Sequence, residues 1–151
     1  MGNVVLRAYP NSTVTSFDYR LDHLTPASYP KLAADAFTLP FTEASFDFVF
    51  SSLFLHHFDN AQVIDLLGGF RRIARRAVLA IDLERGPLAT AFLPATAWLF
   101  GWRSITLHDG PVSVRAAFKR HELLAQAAGL TNAAVRVDRP WSRLSLIART
   151  S

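Results

Sequence analysis

The sequence contains no cysteine, which excludes disulfides, thiolate zinc sites and cysteine nucleophiles. Lysine is nearly absent as well. Of the sixteen basic residues only Lys31 and Lys119 are lysines, so the net charge of +4 rests on arginine. No apolar run is long enough to span a bilayer. The uncharged stretch from Pro87 to Trp102 is broken by Pro94 and Gly101 and falls short of the ~20 apolar residues a spanning helix needs. The N-terminus lacks the basic, apolar, small-residue plan of a signal peptide, and a cytoplasmic protein is expected. Repeats and low-complexity tracts are missing too. What remains is 151 residues, half of them hydrophobic, enough for one globular domain over residues 1–151 with a real core.

Arginines cluster at 71, 72, 75 and 76. Such a cluster can face nucleic acid or anionic lipid, but it equally suits the solvated C-terminal end of a helix, where the dipole favours cations. No aromatic side chains interleave with it, so the second reading is preferred and no nucleic-acid partner is expected.

The periodicities predict alternating strands and helices. Thr13 to Asp18 alternates β-branched and aromatic residues and reads as a strand, with a brief one around Leu32 to Ala34. Ser45 to Ser51 is a near-continuous apolar strand of the kind found in sheets covered on both faces. Asp59 or Asn60 can cap a helix through Ile73, whose Gly68-Gly69 pair predicts close packing. Ala77 to Ile81 is a strand ending in Asp82. Pro87 suits a first helical turn. Glu122 to Ala128 is helical, with Gly129 as a left-handed cap. Ala133 to Asp138 and Arg143 to Ala148 pair as a hairpin. Val4 to Tyr9 reads as a helix in preference to a hairpin strand. The order predicts an α/β fold, mostly parallel, closing in an antiparallel hairpin.

Residues 34–58, with Asp35, the Leu39-Pro40-Phe41 turn, the strand Phe46 to Phe50 and the loop Ser51 to His57, resemble the central segment of small-molecule class I methyltransferases (type 11-like). The resemblance covers nearly the whole chain. It implies a Rossmann-like sheet and S-adenosylmethionine as cofactor. It also implies cofactor contacts at Gly2, Asp18, Tyr19, Asp35, Ala36, Phe37, Ser51 and Ser52: Asp18 on the ribose hydroxyls, Asp35 and its neighbours on the adenine, and the serines near the methionine part. The segment from His108 to Arg115, followed by Ala117 and Phe118, adds a likeness to small-molecule C- or O-methylating enzymes. The family's first strand and its Asp/Glu-x-Gly-x-Gly-x-Gly loop should precede Gly2. Met1 to Arg7 resembles only the end of that loop, so the first strand is expected to be missing. Lost amide contacts at ~1 kcal/mol each would weaken cofactor affinity about tenfold to hundredfold.

Two functions follow as expectations. One is methyl transfer to a small lipophilic molecule, by an enzyme or a fragment of one; the uncharged segment with Phe92, Trp98, Phe100 and Trp102 motivates the lipophilic substrate. The other is a non-catalytic module that binds a partner or self-associates through exposed sheet edges. For the enzyme, His57 at a strand's carboxyl end is the candidate base, with His56 as alternate. Asp82 can face the substrate or pair with Arg85. A metal site from His56, His57 and Asp82 is disfavoured, because adjacent histidines on an extended loop point apart.

Overall fold

The structure is a computed structural model and describes residues 2–24, 28–86, 116–140 and 143–150. It forms two compact units, Met1–Phe41 and Thr42–Ser151.

In the first unit, helix α1 (Gly2–Ala8) ends just before Pro10, which has no N–H to continue it. Strand β1 (Ser16–Asp18) pairs in parallel with β2 (Lys31–Ala33) in a two-stranded sheet. The ladder is shorter than the sequence predicts. Pro30 accepts from the Ser16 amide but has nothing to donate, so pairing starts only at Lys31. Thr13 to Thr15 therefore lie outside any strand. Gly2 and Leu39 are the buried residues among those described here.

The second unit holds a four-stranded sheet in the order β3-β4-β6-β5. Strand β3 (Phe46–Ser52) runs parallel to β4 (Ala74–Leu83), whereas β6 (Arg143–Thr150) is antiparallel to both β4 and β5 (Ala133–Asp138). Helix α2 (Asn60–Ile73) joins β3 to β4, and α3 (Arg120–Ala127) precedes β5. The two helices touch each other and pack on β4 and β5. One face of the sheet is buried: Val49, Val78, Ala80, Val137, Leu144, Leu146 and Ala148 meet Val63, Leu66, Leu67, Phe70, Ile73, Leu123 and Ala127.

Several expectations change. The sheet is covered on one face only among the described residues, since β3 alternates and leaves Phe48 at 56% and Phe50 at 37% exposure. Gly68 and Gly69 have open space where a Cβ would stand, so no neighbour packs close to them. Gly129 is not in the left-handed region; the left-handed residue lies further on, at Asn132 with φ 53°. Strand β4 begins at Ala74, so only Arg71 and Arg72 lie in the last turn of α2. Arg75 and Arg76 stand on the strand, where both reach Asp47. The segment from Pro87 to Arg115 lies outside the described residues.

Candidate active site

In the first unit, parallel pairing of β1 with β2 sets Asp18 opposite Ala33, and the Ala34 amide donates to the Asp18 carbonyl. Asp18 and Asp35 thus emerge at the same, carboxyl end of this small sheet, where ligands bind in open α/β folds. Asp18 Oδ1 accepts from the Arg20 amide at 2.9 Å and lies 3.2 Å from His23 Nδ1. Asp35 Oδ1 accepts from the Phe37 amide at 2.9 Å, which closes a tight turn. The second oxygen, Oδ2, of each carboxylate has no partner among the described residues. Asp35 is exposed and Asp18 half-buried, so both can still accept from a ligand. A nucleoside with a diol and an exocyclic amine is a donor set that these acceptors fit. Tyr19 and Phe37 stand exposed beside them, and Ala36 is half-buried. Gly2 is placed differently: a Cβ there would lie 2.1 Å from the Tyr29 hydroxyl. Its close approach is to the end of a tyrosine ring of the same unit, which would have to shift to admit a side chain there.

The second unit's site grows from two parallel strands in register. Ser52 lies opposite Ile81, so the loop leaving β3 passes over the end of β4. The Leu53 amide donates to the Ile81 carbonyl at 2.8 Å, and Leu53 adopts a left-handed φ of 53°. A 3-10 turn, Leu55–His57, follows. Asp82, 1% exposed, sits beneath it. Its Oδ2 accepts from the amides of Phe54 at 3.2 Å, Leu55 at 2.7 Å and His56 at 3.3 Å. Its Oδ1 accepts from the Leu83 amide at 2.7 Å and meets His56 Nδ1, also buried, at 2.6 Å. Burial opposes ionisation of this carboxyl, but the His56 ring and the Leu83 and Leu55 amides together outweigh it and hold it below the ordinary carboxylate range.

This arrangement fixes roles that sequence reasoning left open. Asp82 does not pair with Arg85, which instead binds Glu122. The two histidines diverge in environment. His56 is buried and oriented by Asp82, whereas His57 is exposed, its ring centroid 4.1 Å from that of His56. Partial desolvation, and then the neighbouring His56, lower the His57 pKa. Ser51 is buried and Ser52 exposed at the end of β3. Among the described residues no cluster of three or more metal-ligating side chains forms. The Asp82 role was missed because its three amide donors come from backbone that curls only after the left-handed turn at Leu53. The available signal was an acid closing one strand beside a neighbouring strand whose following loop carries two histidines.

The profile of the methyltransferase domain matches residues 4–81, more than half of the chain. The chain belongs to the methyltransferase domain family. Solved methyltransferases share its fold. Human N-acetylserotonin methyltransferase, solved in complex with SAM, is 16% identical with a TM-score of 0.71, covering 99% of this chain and 44% of that one. The plantazolicin methyltransferase BpumL, solved with SAH, is 11% identical with a TM-score of 0.72, covering 99% of this chain and 71% of that one. The pyocyanin biosynthetic protein PhzM is 15% identical with a TM-score of 0.64, covering 99% and 46% respectively. The chain spans about half the length of several structures it matches. No curated protein matches it in sequence. The methyltransferase fold here is thus the Rossmann-like α/β one. Among the described residues no helix of this methyltransferase domain is long and apolar enough to cross a membrane.

Proposed function

We propose that the protein transfers a methyl group from S-adenosylmethionine to a small, lipophilic molecule, and that His56 is the base that takes the acceptor's proton. The observation that carries this reading is the buried Asp82–His56 pair at 2.6 Å beneath the loop after β3. S-adenosylmethionine, when bound, supplies a methyl already activated on a sulfonium. The chain's own work is then alignment, exclusion of water and removal of a proton. Ionised Asp82 keeps the proton of His56 on Nδ1, which leaves Nε2 as the basic nitrogen of the neutral ring. This is the logic by which a carboxylate sets a histidine's tautomer in hydrolytic triads. His57, the residue the sequence favours, has no such partner among the described residues. Asp18 and Asp35, with Tyr19, Ala36 and Phe37, are proposed contacts for the nucleoside; Ser51 and Ser52 are proposed contacts for the amino-acid part.

N-acetylserotonin methyltransferase and the pyocyanin biosynthetic protein carry names that point to small molecules, which supports the substrate class. So does the uncharged segment from Pro87 to Trp102. The test supplies S-adenosylmethionine labelled on its methyl group to the protein with a whole-cell metabolite extract. Label should enter the organic-extractable fraction, and the H56Q variant should lose it. Transfer only into macromolecules, or none, contradicts the reading.

A second reading is favoured by one observation. Strand β3 is an edge of its sheet among the described residues and presents Phe48 and Phe50 to solvent. Unpaired apolar edges invite strand addition, so the module can instead self-associate or bind a partner strand. Sedimentation velocity separates the readings: a monomer that transfers methyl groups excludes the second.

A further inference from the structure

The Asp82–His56 pair lies at the carboxyl ends of β3 and β4. The opposite pole of the same unit carries a cavity of about 400 Å³, within the ~300–1,000 Å³ range of small-molecule sites. Its walls come from three segments that precede strands. Glu43 comes before β3, the C-terminal part of α2 before β4, and Gly129 to Asn132 before β5. Hydrogen bonds tie these segments together: the Ala44 amide donates to the Arg72 carbonyl at 3.0 Å, and Arg71 Nη2 donates to the Asn132 carbonyl at 3.2 Å. Gly68 and Gly129 both line the cavity, and a Cβ at either would meet nothing within 4 Å. The space beside these glycines is open, and a larger side chain would fill it.

Charge decides what such a cavity takes. Arg71 and Arg72 line it against a single carboxylate, Glu43, so its walls are positive on balance. A helix C-terminus ordinarily favours cations, but here carbonyls at that end are already used. Those of Phe70, Arg72 and Ala74 accept from the Ala74 amide, the Ala44 amide and Arg71 Nη1. Arg71 thus spends both Nη groups on backbone, while its Nε is buried with no acceptor. An unpaired buried donor on a cation is costly. An oxyanion supplies the missing acceptor in charge-assisted form, and a small turn of the guanidinium brings Nε to it. Thr131 and Asn132, both exposed, add side chains that can donate at the rim. Donors on several sides suit the tetrahedral oxygens of a phosphate better than a planar carboxylate.

We infer that this cavity is a second ligand site, which takes a phosphate group, free or carried on a small molecule. It stands at the pole opposite the Asp82–His56 pair and is independent of the methyltransferase reading.

The test is calorimetric titration at fixed ionic strength with inorganic phosphate and, separately, with ribose 5-phosphate. The wild type should bind one phosphate group per chain, and E43Q should bind severalfold more tightly because a repelling carboxylate is gone. G68L fills the cavity with a side chain that suits a helix better than glycine. It should keep or raise its urea midpoint and bind about tenfold more weakly, the scale of one charge-assisted hydrogen bond. Should G68L fail to fold, R72Q, at an exposed position, carries the same prediction. Tighter binding of the ester shows that the phosphate is carried on a larger molecule, and equal affinities assign the free ion; both support the site. No saturable binding of either probe by the folded wild type overturns the proposal. So does binding that a folded G68L leaves intact, which would put the anion elsewhere on the arginine-rich surface.

Discussion

A single carboxylate, Asp82, fixes both the backbone and a side chain of the loop after β3. It is buried and accepts from the amides of Phe54, Leu55, His56 and Leu83 besides the His56 ring. In D82N one carboxylate oxygen becomes an amide donor facing other donors. The variant should lose about 3 kcal/mol in urea unfolding, the scale of a broken buried polar network. The pH dependence has a definite sign. Asp82 titrates lower in the folded chain than at the unfolded value of about 3.9. Its contribution is therefore complete above about pH 4 and is lost as pH falls through the depressed folded value. His57 is also depressed when folded. The unfolded chain then takes up that proton more readily, so stability declines as pH drops below about 6.5. H57Q should flatten the urea midpoint between pH 7 and pH 5. Sequence alone identified Asp82 as an acid closing a strand and His56 as an alternate. It could not show which histidine the acid holds, because that depends on the curl of the backbone at Leu53.

At the scale of elements, α2 was legible to within one residue, and the reason is local. Asp59 accepts from the Gln62 amide at 2.9 Å, while the Gln62 side chain accepts from the Asp59 amide at 3.1 Å. This reciprocal capping box depends on side chains three apart and on nothing distant. D59A should cost about 1 kcal/mol, measured by urea unfolding. Gly68 and Gly69 invert the expectation drawn from sequence. With nothing within 4 Å of a built Cβ at either position, G68A and G69A should each stabilise the protein by about 0.5–1 kcal/mol. A loss of stability would show close packing after all. Strand ends were less legible, because partners set them. β1 starts only past Pro30, which cannot donate, and β4 begins early because Ala74 finds Phe46 across the ladder. The Arg75 and Arg76 pair then serves the strand by binding Asp47, contacts across 28 and 29 residues that no local pattern reveals.

At the scale of the whole molecule, the fold class was legible because apolar runs, helical periods and strand-ending acids occur in the order of the methyltransferase sheet. The family match over residues 4–81 rests on that same segment. The face that leaves Phe48 and Phe50 exposed among the described residues was not legible. Near-continuous apolar strands predict burial on both sides, whereas observed exposure depends on what packs against each face. The candidate site was legible in outline only. Asp18 and Asp35 were found as strand-end acids, but the turns that each caps and the Asp82–His56 pair required coordinates. Calorimetric titration of the folded 151-residue chain with S-adenosylhomocysteine tests the central claim most directly. The account predicts saturable binding with one ligand per chain, weakened by replacing Asp18 or Asp35 with alanine. A chain shown to be folded by its circular dichroism that gives no binding would contradict it.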